Sequence, residues 1–193
     1  MLPLDHPLWA TLSCHNITGS EFAAILSEYY VGNIPAGEDL QEDLLQCICG
    51  GDVYDSSFAA APHLVELARK CEPSTAAALL GFAGYAMGQV AIDEALEIAP
   101  PLAEFFPEAC KQGLETARRI LDAIEEGTPE REQLQVAMFV FAGDLEGFKS
   151  LLAEIDAREQ ERIEQWIELE NAKPKAIKTH WQTDDGGSWT FNG

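Results

Sequence analysis

The clearest periodic signal runs from Tyr54 to Cys71, where Phe58, Ala61, Leu64, Val65, Ala68 and Cys71 recur at steps of three and four. That spacing places them on one helical face, with His63, Glu66 and Lys70 opposite. Pro62 lacks an amide donor and clashes with the turn before it, so the helix starts near it or bends there. Ala76 to Ile92 follows without a charged residue, and Ala77, Gly81, Gly84 and Gly88 line one side of it. Each glycine costs a helix about 1 kcal/mol against alanine, so three imply a packing reason. The pattern predicts a central buried helix, packed closely on the helix before it.

The same periodicity extends along the chain. Asp5-His6-Pro7 reads as a helix start, with Leu8, Trp9 and Leu12 apolar. Thr18-Gly19-Ser20-Glu21 matches a capping box and opens a helix to about Tyr30 that buries Phe22, Ile25, Leu26 and Tyr29. After a Gly/Pro loop, Glu38 to about Cys49 forms a helix with Leu40, Leu44, Leu45 and Ile48 inward, ended by Gly50-Gly51. Asp93 to Ala99 continues helically until Pro100-Pro101. Pro107 opens a helix to about Glu126, with Cys110, Leu114, Ala117, Leu121 and Ile124 inside. Thr128-Pro129 starts another, with Leu134, Ala137, Met138 and Phe141 inward. Gly143-Asp144 is a tight turn, and Leu145 to Glu170 returns with Phe148, Leu151, Leu152, Ile155, Ile163, Trp166 and Ile167 on its apolar side.

From Ala172 the helical pattern stops. Lys173, Lys175 and Lys178 precede two aromatic stretches around Asp184-Asp185-Gly186-Gly187. These fit a small hairpin or an extended tail, with intramolecular docking of the aromatics expected. The organisation is therefore a helical domain over 1–171 and an aromatic tail or small hairpin over 172–193. The fold class is all-α: antiparallel helical hairpins in an α-solenoid or an irregular bundle.

Charge changes this picture more than composition does. The net charge is −21, and the first 68 residues hold ten Asp and Glu with no Lys or Arg. Such a field repels nucleic acid and anionic membranes and accelerates encounter with a basic protein. Glu38, Asp39, Glu42, Asp43, Asp52 and Asp55 are the candidate partner-binding residues. The uncharged run from Ser74 to Ile92 is rich in Ala and Gly and lacks an aromatic belt, which argues against a membrane span. Five cysteines without a framework pattern suit buried thiols in the cytoplasm.

Candidate chemistry is sparse. Cys47 and Cys49 have the wrong spacing for zinc and lack a second pair. His63 and Glu66 are three apart and are the one metal pair worth weighing, though a solvated pair is the better reading. Cys14-His15 adjacency does not create reacting geometry. Gly81, Gly84 and Gly88 are not a phosphate loop. No catalytic residue, metal or cofactor is assigned, and an enzyme is not expected.

The segment Val53-Tyr54-Asp55-Ser56-Ser57-Phe58-Ala59-Ala60-Ala61-Pro62-His63-Leu64-Val65-Glu66-Leu67 resembles a pattern in bacterial HEAT-repeat-like proteins. Trp9 and the Asn33-Ile34-Pro35 loop before an acidic helix look similar too, so the resemblance covers roughly residues 8 to 92. It implies an all-helical interaction module and is similar to some immunity proteins of toxin systems. The expectation is an acidic inhibitor that neutralises a basic toxin by covering its active site. A scaffold or regulatory adaptor is the alternative, and a metal-dependent enzyme using His63 and Glu66 is a third reading.

Overall fold

The computed structural model describes residues 1–193 apart from Ala36, Cys47, Gly50, Gly51, Ala91, Glu94, Ala95, 173–178, 183–187, 192 and 193. The side chains of Ile48, Cys49, Asp52 and residues 170–172, 179–182 and 188–191 also lie outside the description. Hence the Cys47 and Cys49 thiols, the Gly50-Gly51 helix end, the three lysines and the docking of the tail aromatics fall outside it.

The chain is all-α, with two short antiparallel strand pairs. A 3-10 turn (Pro7–Thr11) leads to α1 (Gly19–Tyr30), α2 (Glu38–Leu45), the strands β1 (Ile48–Cys49) and β2 (Asp52–Val53), α3 (Asp55–Ala68) and α4 (Pro73–Gln89). There follow α5 (Pro100–Ala103), α6 (Phe106–Ile120), α7 (Pro129–Phe141), α8 (Leu145–Ala172), β3 (Thr179–Gln182) and β4 (Ser188–Phe191). Two compact units result, Met1–Leu152 and Ala153–Gly193.

In the first unit α3 packs against α1, α4, α5 and α6, and α4 has its most extensive contact with α7. Neighbours in space are thus often distant in sequence. The glycine side of α4 meets α7 and the start of α8. A Cβ on Gly84 would collide with the backbone of Ala137, one on Gly81 would press on Gln133, and one on Gly88 would strike Phe148 and Val140. The packing reason expected for these glycines is present, and the helix that uses it lies about fifty residues downstream. Tight helix ends at Gly127 (φ 78°) and Gly143 (φ 73°) take the left-handed conformation that glycine adopts without steric cost.

Helix starts match their signals. Thr18 and Glu21 complete the capping box: the Thr18 hydroxyl accepts from the Glu21 amide and the Glu21 carboxylate accepts from the Thr18 amide. Thr128 accepts from the Arg131 amide, with Pro129 in the first turn of α7.

Several expectations are corrected. α3 is buried almost all round: twelve of its fourteen residues are shielded, including His63, so it is more enclosed than α4. Amphipathic spacing misplaced His63 because Tyr30 and the N-terminal segment cover that face. Pro62 sits inside α3, which begins seven residues earlier at Asp55. α2 stops at Leu45, and Ile48–Cys49 pairs with Asp52–Val53 instead of extending the helix. Asp93 and residues 96–99 are not helical. Ala99 is extended (ψ 129°), as a residue before proline is driven to be.

α6 ends at Ile120 and gives way to a 3-10 turn (Leu121–Ala123), short of Glu126. Its buried face is Ala109, Gly113, Thr116, Ala117 and Ile120, one position away from the Cys110–Leu114–Leu121 stripe. Small residues win there because Phe141 needs the space: a Cβ on Gly113 would meet its ring at 2.7 Å. Phe148 of α8 is fully buried, but Ile163, Trp166 and Ile167 are 49, 62 and 45% exposed.

The second unit comprises the remainder of α8 and an antiparallel ladder of β3 and β4. Its register pairs Thr179 with Phe191, His180 with Thr190, Trp181 with Trp189 and Gln182 with Ser188.

Candidate functional site

α2 is a short helix with two apolar anchors, Leu40 and Leu44, both buried. Its remaining surface carries Glu38, Asp39, Gln41 and Glu42 together with Leu45, which the apolar pattern placed inward but which is 46% exposed. Glu38 and Asp39 occupy the first turn, where carboxylates favour the positive end of the helix dipole. Glu38, Asp39 and Glu42 are exposed, whereas Asp43 is half-buried and accepts a hydrogen bond from the Tyr29 hydroxyl at 2.8 Å. This bond ties α2 to the end of α1.

The C-terminal end of α2 is also tied to the N-terminal loop. The Gln46 carbonyl accepts the His15 amide at 2.6 Å, and the His15 ring meets the Tyr54 hydroxyl at 3.2 Å. Two residues earlier, Ser13 caps α3 from outside the helix. Its Oγ accepts the Asp55 amide at 3.1 Å and its carbonyl accepts the Ser56 amide at 3.2 Å. The same hydroxyl donates to the Asp55 carboxylate at 3.1 Å. Asp55 is exposed but engaged. Asp52 pairs through its backbone with Cys49, and its side chain lies outside the described residues.

The six sequence-derived carboxylates therefore separate. Glu38, Asp39 and Glu42 share the outer arc of α2, about 40–100° apart at helical spacing. Asp43 anchors α2, and Asp55 the start of α3. The ion pairs of Glu66, Glu126, Glu146 and Glu159 lie outside α2.

The buried His63 ring is committed to structure. His63 Nε2 lies 2.7 Å from the Leu2 carbonyl, which can only accept, so Nε2 carries the proton. Nδ1 then accepts from the Tyr30 hydroxyl at 3.1 Å. Burial pushes the His63 pKa down to about 4, outweighing the Leu2 bond that favours the cation. Burial pushes the Tyr30 hydroxyl up to about 12, with the nearby Glu66 charge adding to it. Glu66 instead turns to Lys70 at 2.9 Å and Arg69 at 2.8 Å, and its carboxyl is held below its usual range, chiefly by Lys70. His63 and Glu66 thus serve different partners. Among the described residues no group of three or more His, Cys, Asp or Glu is placed to hold a metal ion. Burial raises the thiols of Cys14, Cys71 and Cys110, which disfavours the nucleophilic thiolate.

Periodicity missed two further features. Arg131 donates to the carbonyls of Leu121 at 2.7 Å and Ile124 at 2.6 Å, closing the end of the α6 segment. A cation in the first turn of α7 opposes that helix's own dipole, and that local conflict was the available signal. The second feature is an apolar groove of about 500 Å3, lined by Leu114 and Leu121 of α6, Met138 and Phe139 of α7 and Leu151 of α8. Arg118 and Asp144 stand on its wall. It uses the larger apolar stripe of α6, which the core leaves free.

No protein-family model, curated protein or solved structure matches the chain. Among the described residues, no helix is long and apolar enough to cross a membrane.

Proposed function

We propose that this chain is an acidic protein-binding inhibitor that engages a basic protein through the outer arc of α2. Its most concrete form is a cytoplasmic immunity protein of the HEAT-like kind, occluding the active site of a basic bacterial toxin. One observation carries the reading: α2 is held by its buried Leu40 and Leu44 and by hydrogen bonds at Asp43 and Gln46 in its C-terminal half, while Glu38, Asp39 and Glu42 stand exposed on it. Fixed carboxylates on a rigid element meet Lys and Arg with less ordering cost than carboxylates on a loop, and long-range attraction accelerates encounter. The N-terminal third itself contributes no lysine or arginine to this field.

The experiment is tagged purification from the native cell at low and high salt, followed by association kinetics with the protein that co-elutes. The expected partner is a single basic protein. Replacing Glu38, Asp39 and Glu42 together by Lys slows its association by about tenfold or more and flattens the salt dependence. Unchanged association removes α2 from the interface. The apolar groove favours a second reading, a scaffold or regulatory adaptor that holds partners by burial. That reading expects partners of ordinary charge whose binding survives high salt.

A further inference from the structure

Four of the nine large apolar side chains exposed among the described residues fall within one stretch of seven residues in α8: Ile163, Trp166, Ile167 and Leu169. Successive residues turn about 100° in a helix, so these four form one stripe about 160° wide. Ile155, in the same unit, falls within this arc at helical spacing. Glu159 and Arg162 interrupt it, joined to each other by an ion pair at 2.6 Å. Part of the stripe lines a shallow groove of about 460 Å3. Exposed apolar surface so concentrated marks a binding face.

Charge decides what covers it. From Ala153 to Ala172 the sequence carries seven carboxylates against two guanidinium groups. A second copy would bring two such helices side by side, and an anionic lipid surface or a nucleic acid would meet the same repulsion. A basic amphipathic helix instead places its apolar residues on Ile163, Trp166 and Ile167 and its Lys or Arg against the flanking glutamates. We propose that the distal part of α8 is a docking face for such a basic amphipathic helix of a protein partner. The inference rests on the reading of the chain as a binder of basic protein, and adds a second contact with a different chemistry.

The test titrates the full chain with an 18-residue helical peptide of Leu and Lys, and with its Leu and Glu counterpart. Calorimetry reads binding, and sedimentation reads the state of the free chain. The Lys peptide is expected to bind and the Glu peptide not. Ile163→Glu together with Ile167→Glu should weaken the Lys peptide at least tenfold, although both changes add negative charge. Simple charge attraction predicts the reverse, so equal or tighter binding overturns the proposal. A dimer that the double substitution dissolves also overturns it, by making a second copy the occupant. Since both positions are exposed, the double variant should retain the native circular dichroism and melting point. Peptide binding lost in the Glu38→Lys, Asp39→Lys, Glu42→Lys variant but kept in the α8 variant overturns the α8 face and leaves the α2 reading standing. Failure of the α2 reading is seen separately, in association with the native partner.

Discussion

At Gly84 the absence of a side chain is a packing requirement. Gly84→Ala improves helix propensity by about 1 kcal/mol, yet forces α4 away from the Ala137 backbone. Overpacking of this kind costs about 1–3 kcal/mol or more where backbone must move. The expected net outcome is a lower denaturant midpoint at unchanged slope. His63 makes a different prediction. Its pKa is depressed to about 4 in the folded chain against an ordinary value of 6.5. The folded state therefore binds fewer protons than the unfolded state in that window. The contribution of neutral His63 is fully present above pH 6.5 and is lost as pH falls towards 4, by about 3 kcal/mol in total. His63→Gln keeps a donor and an acceptor and should flatten this segment of the stability profile, measured by urea titration at each pH. Arg131→Ala leaves the Leu121 and Ile124 carbonyls without their cation and should cost about 1.5–3 kcal/mol.

Elements were legible in the sequence where a local signal sufficed. The capping box at Thr18 and Glu21, the Thr128-Pro129 start and the glycine turn at Gly143 each depend on residues within a few positions. Several of the misreadings trace to a partner far along the chain. Ser13 caps α3 from forty-two positions away, and His63 is covered by a carbonyl sixty-one positions away. Neither hydroxyl nor imidazole carries a local mark of that role. α6 has two helical stripes, and only the demand of the Phe141 ring at Gly113 selects the small one. The acidity of α2 was plain in the sequence, but not which carboxylates were already engaged. Tyr29 takes Asp43 and Ser13 takes Asp55. Ser13→Ala removes an N-terminal cap from α3 and should cost about 1 kcal/mol, read as a drop in melting temperature with the far-ultraviolet spectrum of the folded state unchanged.

For the molecule as a whole, a net charge of −21 on 193 residues is a standing self-repulsion. Salt screens it, with a Debye length of about 30 Å at 0.01 M and 3 Å at 1 M. Thermal stability should therefore rise with sodium chloride over this range, because the ion pairs of Glu66, Glu126, Glu146 and Glu159 each have at least one exposed partner and lose little. A melting temperature that falls instead would mean that attractive pairs dominate. Lower pH relieves the same repulsion and so opposes the His63 effect, which is best measured at high salt.

The glycine side of α4 also sets an order of events during synthesis. The ribosome delivers Gly84 long before Ala137, the residue whose backbone must lie against it. At about 5–20 residues per second the interval between them is about 3–10 s. Throughout it the nascent chain displays an uncharged, glycine-notched surface with nothing to receive it. A chain arrested in that interval holds α3 and α4 but has not yet made α7, so translation pauses between Gln89 and Pro129 should be the ones most dependent on chaperones.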